Sequence, residues 1–368
     1  VSTEWEATVS TLAPARGLRR LLDSPVLAAL TTPHGVDRYL DLVNPMWSVR
    51  EVRARVVGVH QETPDVATVT LRPNGNWPGF VAGQYVQVGI EVDGARRTRC
   101  FSLSGSAHRP DGLLTLTVKQ HPTGHVARFL RTTARPGTVV TLSPPDGTFT
   151  LPARRPDRLL LISGGSGITP VMSMLRTLLD EGHRGRVTFL HYARTAADVP
   201  FAAELDRIAA RHRNVDVLRA HTRAGGGELS GRYAPEHLRG VDPAAAAYVC
   251  GPVGLVDAVR ETWPGRPPRV EFFKPPAPAP EAGGPTGEIR FTATGRGVPN
   301  TGRTLLEQAE AAGLTPAFGC RMGICHSCVR RKSAGHVRDV LTGELSREAD
   351  EDVRICVSAP VGDVHIDL

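Results

Sequence analysis

The chain has no long hydrophobic run. No stretch of its 368 residues approaches the roughly 18 consecutive apolar residues of a membrane-crossing helix, so no transmembrane helix is expected. Its first residues, from Val1 to Trp5, lack the basic-then-apolar layout of a secretory signal, and a cytoplasmic location is the expectation. Cysteine is scarce. Of the six present, Cys100 and Cys250 stand alone, while Cys320, Cys325, Cys328 and Cys356 share one short region. That is metal usage in a reducing compartment, and it argues against a disulfide framework. No nucleic-acid motif is present, so nucleic acid is not an expected partner.

Hydrophobic content of 40% and charged content of 22% suit a soluble globular protein, and the length allows two or three domains. The net charge of +7 is uneven. Residues 288–368 hold ten Lys/Arg against eleven Asp/Glu, which gives −1 and leaves +8 on the remainder. A basic body suits an anionic nucleotide, an acidic protein partner or a peripheral contact with an anionic membrane face. It suits plain solubility equally well.

Residues 275–287 are rich in Pro, Gly and Ala. Such a run favours extended polyproline II, and at about 3.1 Å per residue it could span roughly 40 Å. It is read as a linker. Upstream, residues 51–153 carry short strand-like segments at 56–59, 66–71, 85–90, 114–118 and 139–142, bounded by turn residues. That spacing predicts an antiparallel β-barrel. From residue 154 to 274 the pattern changes. A continuous apolar run at 159–162 reads as a buried parallel strand, and strand-like and helix-like stretches alternate after it. This predicts a doubly wound α/β domain. Residues 288–368 form the last domain. Residues 1–50 fit neither neighbour. With short helical pieces at 18–22 and 26–30, they read as an N-terminal extension packed on the barrel or used for a partner.

The cysteines carry the sharpest chemistry. Their order is C-x4-C-x2-C, followed after 27 intervening residues by Cys356. This is the plant-type ferredoxin spacing for a [2Fe–2S] cluster, with four thiolates on two irons. A structural zinc site is the rival reading. Gly319 and Gly323 would let the loop wrap the metal. The helix-like stretch 304–309 and a closing strand at 364–368 complete a ferredoxin-like α+β pattern. Such a cluster carries one electron at a time, so the rest of the chain must supply electrons.

Arg99, Phe101 and Ser102, preceded by Gly83, Gln84 and Tyr85, resemble the flavin signature of the ferredoxin–NADP reductase superfamily. A flavin diphosphate needs a cation (Arg99), its ring an aromatic face (Phe101) and its N5 a hydroxyl partner (Ser102). The resemblance extends to Gly124, Val126 and Ala127, where the family opens a helix whose backbone N–H groups hold the pyrophosphate. Ala127 stands where the family usually has serine. FAD is the implied flavin, with FMN as the alternative.

Gly164, Gly165, Gly167, Thr169 and Pro170 follow the 159–162 strand directly and resemble the superfamily's nicotinamide-dinucleotide loop. Glycines allow close approach of a pyrophosphate, the helix N-terminus offers its positive end, and Pro170 suits a first helical turn. Cys250, Gly251 and Pro252 match the superfamily's second nicotinamide signature, which implies that Cys250 lies near the transferred hydride. Thr222, Arg223 and Arg232 fall where NADPH-using relatives grip the 2′-phosphate, and Arg194 adds a cation at a strand end. Solvated arginines are the alternative, and with it NADH.

From residue 52 onward, the order of these motifs resembles an NAD(P)H reductase fused to its own ferredoxin. Segments 21–26, 33–40 and 45–47 look like the actinobacterial reductases that serve membrane acyl-CoA desaturases. The resemblance implies NADPH, FAD and a [2Fe–2S] cluster in series, with Ser102 and Cys250 at the hydride site. It implies a membrane-bound acyl-CoA desaturase as acceptor and a cytoplasmic protein, peripheral at the inner face of the membrane. A Rieske oxygenase, an alkane hydroxylase or a cytochrome P450 are alternative acceptors. A redox sensor is the reading from another class. Arg330, Arg331 and Lys332, just past Cys328, form a basic run read either as a docking patch or as a solvated turn.

Overall fold

The computed structural model describes residues 35–92, 94–121, 124–273, 284–319, 321–323 and 326–368. The expected helical pieces at 18–22 and 26–30, most of the expected linker, Cys320 and Cys325 lie outside the described residues. The chain divides into two compact units, Val1–Glu271 and Phe272–Leu368. No helix among the described residues is long and apolar enough to cross a membrane.

The first unit opens with α1 (Gly35–Val43), followed by β1 (Val52–Thr63), β2 (Val66–Pro73), β3 (Tyr85–Val92), β4 (Ala95–Ser102) and β5 (Leu114–Lys119). After α2 (His125–Arg128) and a π turn, Phe129–Thr133, comes β6 (Val139–Leu142). The sheet order is β4-β3-β6-β1-β2-β5, every pair antiparallel. β4 and β5 end this order, and a bridge between Leu103 and Leu116 joins them, so the sheet closes into a barrel. In β2, Val69 and Leu71 point inward while Thr68 and Thr70 are more open, the period of two that a one-sided strand needs. Val69, Leu71, Val86, Val88, Leu103, Leu116 and Leu130 fill the interior.

Residues before the barrel are tied to it. The Arg53 guanidinium, in β1, pairs with Asp41 and donates to the carbonyls of Pro45 and Trp47, each at 3.0 Å. Asp37 accepts from Ser48 Oγ and the Val49 N–H, and Met46 is buried.

The α/β part follows as β7 (Arg158–Gly164), α3 (Ile168–Asp180), β8 (Arg186–Ala193), α4 (Ala202–Arg211), β9 (Val215–His221), β10 (Leu229–Ser230), β11 (Ala246–Cys250), α5 (Val253–Thr262) and β12 (Arg269–Glu271). All strands are parallel, in the order β10-β9-β8-β7-β11-β12. β7 is apolar from Leu159 to Ile162 because both of its faces are covered. The strand order reverses between β7 and β11. A crevice forms there at the carboxyl ends of the strands, where ligands bind in open α/β sheets. α3 also packs on the barrel: Ser173 Oγ donates to the Gly105 carbonyl at 2.7 Å, and Thr177 Oγ1 accepts from the Ala107 N–H at 3.0 Å.

The second unit contains β13 (Glu288–Phe291), β14 (Arg296–Pro299), α6 (Leu305–Ala311), β15 (Val329–Asp339), β16 (Leu345–Ser346), β17 (Glu351–Arg354) and β18 (Ser358–Ile366). The order is β14-β13-β18-β15-β16, with β17 on β15; β13 and β18 are parallel and the other pairs antiparallel. Thr304 caps α6 by accepting from the Glu307 N–H at 3.4 Å. Leu305, Leu306 and Ala309 then face Ile289, Phe291, Ile355 and Val364, giving a β-grasp core. The three expected architectures are present.

Candidate functional site

β3 and β4 set the first part of the site. Their register pairs Tyr85 with Ser102, Val86 with Phe101 and Val88 with Arg99. Arg99 and Phe101 therefore project from one face of β4, with Phe101 packed partly against the barrel core. Ser102 is buried and projects from the other face. Gly83 has φ +99, and a Cβ there would stand 2.0 Å from the Phe149 carbonyl oxygen, so only glycine fits before Tyr85. Gly124 caps α2, which lies against β3 and β4, and Val126 and Ala127 turn into the core. The fold thus brings the Gly124–Ala127 turn beside Arg99, Phe101 and Ser102. A serine at 127 would meet apolar packing.

The second part lies at the reversal of strand order. Ser163 is in register with Cys250 across β7 and β11. Gly165 has φ +55 and begins the turn into α3. Thr169 Oγ1 donates to the Ser166 carbonyl at 3.1 Å and stiffens the turn. A Cβ on Gly164 would meet Pro252 at 2.8 Å, and one on Gly251 would meet the Gly164 nitrogen at 3.0 Å. The two nicotinamide motifs are therefore in backbone contact, leaving peptide N–H groups and the α3 N-terminus at the crevice.

Cys250 is fully buried, and its thiol is pushed well above its usual pKa by burial, with the Glu271 carboxyl adding to the shift. Cys250 Sγ lies 4.0 Å from Glu271 Oε2 because β11 and β12 pair these residues in register. Burial also holds the Glu271 carboxyl up to about 8, although the residue as a whole keeps some exposure. The sequence reading missed Glu271. The signal available was an acidic residue within the apolar-aromatic stretch 270–273, which only the β11–β12 register connects to Cys250.

The arginines divide. The Arg223 N–H donates to the Arg194 carbonyl at 2.9 Å, extending the β8–β9 ladder past the strand ends, and the Gly231 N–H donates to the His221 carbonyl at 3.0 Å. Arg223 and Arg232 thus follow two adjacent strands at the same sheet edge. Both are exposed, and neither side chain has a partner among the described residues. Arg194 is held instead: its guanidinium pairs with Asp198 and, at 3.3 Å, with Asp65 of the barrel. Thr222 lies between the two groups, its N–H on the Ala193 carbonyl at 2.9 Å.

Tyr233, next to Arg232, belongs to an aromatic group with Tyr192 and His237 that supports this segment, and only the grouping with His237 was not legible in the sequence. Tyr192 stacks on His237 with ring centres 5.9 Å apart and hydrogen-bonds its Nδ1 at 2.9 Å, and Tyr233 meets Tyr192 edge-on at 6.2 Å. On the opposite face of β8, His191 is fully buried and held down to about 3 by desolvation, with His221, Lys119 and Arg219 adding repulsion, so its ring is neutral. Its Nδ1 meets Ser163 Oγ at 2.9 Å.

In the second unit, Cys328 and Cys356 are both buried. Val329 pairs with Arg354, and the Ile355 N–H reaches the Cys328 carbonyl at 3.3 Å, so the two cysteines flank one backbone contact. Arg321, Gly323 and His326 take φ values of 60, 76 and 54, curling the chain in the segment that carries Cys320 and Cys325. Two buried cysteines beside one backbone contact suit thiolate ligands of a compact metal–sulfur group. The basic run past Cys328 is not one surface: Lys332 is completely buried, its Nζ on the Gly335 and Glu348 carbonyls. Arg331 pairs with Asp352 at 3.5 Å.

A barrel bearing a flavin signature, a parallel sheet with a glycine-lined crevice and a β-grasp unit with buried cysteines define a flavin- and nicotinamide-dependent iron–sulfur reductase. Comparison with known families agrees. The oxidoreductase FAD-binding domain matches residues 53–151, the oxidoreductase NAD-binding domain residues 161–261 and the 2Fe-2S iron-sulfur cluster binding domain residues 293–361. The chain belongs to the family of oxidoreductases that join these three domains. It is 40% identical over 354 residues to an NADPH oxidoreductase of Mycobacterium tuberculosis, covering 93% of this chain and 91% of the relative. It is 31% identical to a glycine betaine monooxygenase reductase subunit of Pseudomonas aeruginosa, covering 89% and 99%. Phthalate dioxygenase reductase superposes with a TM-score of 0.58 at 25% identity, covering 86% of this chain and 98% of that structure. FAD, a nicotinamide dinucleotide and a [2Fe–2S] cluster are thus this enzyme's cofactors.

Proposed function

We propose that the protein is an NADPH-dependent reductase that passes electrons through FAD and its [2Fe–2S] cluster to a membrane-bound fatty acyl-CoA desaturase. The observation that carries the NADPH preference is the pair Arg223 and Arg232, exposed side by side beyond β9 and β10. Two forked cations with no side-chain partner among the described residues suit a dianionic 2′-phosphate. The name NADPH oxidoreductase of the mycobacterial relative supports the same choice.

In this reading residues 51–153 hold FAD, 154–274 the dinucleotide and 288–368 the cluster, with 275–287 as linker and 1–50 as an extension. Arg99 takes the flavin diphosphate together with the backbone of Gly124, Val126 and Ala127. Phe101 faces the ring, and Ser102 faces its reacting edge. Gly164, Gly165, Gly167 and Thr169 cradle the dinucleotide pyrophosphate, while Gly251 and Pro252 shape the nicotinamide end. Cys250 is a neutral wall of the hydride site. Thr222 and Arg194 complete the phosphate end once Arg194 leaves its carboxylates. Cys320, Cys325, Cys328 and Cys356 hold the irons. Bound together, the cofactors convert one hydride into two single electrons. A bilayer acceptor would place the enzyme at the inner face of the membrane.

A second acceptor reading has specific support. Relatives named as glycine betaine monooxygenase and phthalate dioxygenase reductases favour an oxygenase. Anaerobic stopped-flow mixing with NADPH and with NADH tests the electron path. Fast flavin bleaching and then cluster reduction, with NADPH preferred, is the expected result, and a preference for NADH overturns the phosphate site. Turnover with a desaturase in membranes, set against a purified oxygenase, decides the acceptor.

A further inference from the structure

We propose that Arg354 is a positioning residue for the cluster. Its guanidinium ties the cysteine-bearing loop to the strand that leads into Cys356, and its charge favours the reduced state. The proposal rests on the cluster reading of the four cysteines. Arg354 Nη1 donates to the Gly323 carbonyl at 2.6 Å, and Nη2 donates to Asp339 Oδ2 at 2.8 Å. Gly323 lies between Cys320 and Cys325. Arg354 precedes Cys356 by two residues, and its backbone pairs with Val329, next to Cys328. One residue therefore links the three stretches of chain that carry the four cysteines, its side chain reaching Gly323 and its backbone pairing beside Cys328.

Both ends of this link are fixed. Gly323 has φ +76, and a Cβ there would stand 2.9 Å from a Val357 methyl, so the residue whose carbonyl Arg354 holds cannot carry a side chain. Asp339 Oδ1 accepts from the N–H groups of Leu341 at 2.8 Å and Thr342 at 3.2 Å, while the Val340 N–H reaches the Val357 carbonyl at 2.9 Å. The turn through Cys356 is closed on Arg354 itself: its carbonyl accepts from the Val357 N–H and Ser358 Oγ, both at 3.0 Å. The guanidinium and the Asp339 carboxyl are both partly shielded from water, at 33% and 19% side-chain exposure. Their charges are therefore only partly screened.

Reduction adds one negative charge to the cluster. A fixed cation beside its loop favours that change, and the Asp339 carboxylate opposes it. The two residues should therefore move the reduction equilibrium in opposite directions, which loosening of the loop alone would not do.

The test uses the full chain with its cofactors, as wild type and as Arg354→Gln, Arg354→Lys and Asp339→Asn. Iron and sulfide content, the electron paramagnetic resonance spectrum of the reduced cluster, a potentiometric titration and the rate of iron loss to a chelator are measured. Arg354→Gln should lower the reduced-to-oxidised ratio at fixed potential by about threefold or more, roughly 28 mV for one electron. Asp339→Asn should raise it, and Arg354→Lys should fall between wild type and Arg354→Gln. Iron loss should quicken several-fold in Arg354→Gln. If Arg354→Gln does not fold, the sign of the Asp339→Asn shift decides. A wild type that holds zinc, or no iron, overturns the cluster reading and this proposal together. A loaded wild type whose variants stay unshifted, or shift in one common direction, overturns the proposal alone.

Discussion

Gly167 stands so close to Cys250 that a Cβ on the glycine would fall 2.2 Å from the cysteine's carbonyl oxygen. This contact is where the two nicotinamide motifs meet, at the reversal of strand order between β7 and β11. A methyl group at Gly167 must push β11 away from the turn. Overpacking of this kind costs about 1–3 kcal/mol, and here the displaced backbone lines the proposed dinucleotide site. Gly167→Ala should therefore weaken NADPH binding by roughly tenfold or more, read as the concentration dependence of flavin bleaching. Flavin and iron content should stay at wild-type levels.

The arginines at the strand ends should not contribute equally. Arg223 and Arg232 are exposed and have no side-chain partner among the described residues, whereas Arg194 is engaged by Asp65 and Asp198. Losing a charge-assisted hydrogen bond costs about 1.5–3 kcal/mol, roughly a 10- to 150-fold loss of affinity. Arg223→Ala and Arg232→Ala should each raise the NADPH KM by about that factor and leave the NADH KM nearly unchanged. Arg194→Ala should have a smaller effect, because Arg194 must first leave its carboxylates. Steady-state kinetics with both dinucleotides checks this order.

Glu271 gives the first unit a pH dependence. Its carboxyl is held up to about 8 from an ordinary value of 4.5, because burial disfavours its charge. Between those values the folded chain keeps a proton that the unfolded chain has released. Stability therefore falls as pH rises across that window and levels off above it. Solvent reaching the partly exposed residue tempers the effect to roughly 1–3 kcal/mol. Glu271→Gln should remove this loss. Urea unfolding of the full chain at pH 5, 6.5 and 8, followed by flavin release, should show the wild type falling relative to the variant.

The chemistry written in contiguous residues was legible in the sequence. The glycine turn before α3 must sit directly after a buried strand, and the apolar run from Leu159 to Ile162 announces that strand. The cysteine spacing likewise needs no tertiary knowledge. What the sequence hid depends on distant pairing. Asp65 and Arg194 belong to different domains, and only their packing together turns a free phosphate ligand into a held cation. Cys250 and Glu271 meet through parallel register, which no local pattern reports. Lys332 looked like part of a basic surface because its neighbours are arginines. It lies where the pairing of β15 with β18 slips between Lys332 and Ala334, and its side chain is buried with its ammonium on backbone carbonyls.

The isolated and the clustered cysteines should separate cleanly. Cys356 is buried and follows the strand residue that pairs beside Cys328, whereas Cys100 sits half-exposed in β4, opposite Gln87. Cys356→Ser replaces a soft thiolate with a hydroxyl, which is a far weaker ligand for iron in a thiolate site. It should lose most of its iron and sulfide while keeping its flavin, because the flavin barrel belongs to the other compact unit. NADPH should still bleach the flavin at close to the wild-type rate, but electrons should no longer reach a one-electron protein acceptor. Cys100→Ser should keep both cofactors and full turnover. Iron and sulfide analysis, flavin absorbance and stopped-flow bleaching distinguish the two variants. If Cys356→Ser retained a full cluster, another group would have to be the fourth ligand.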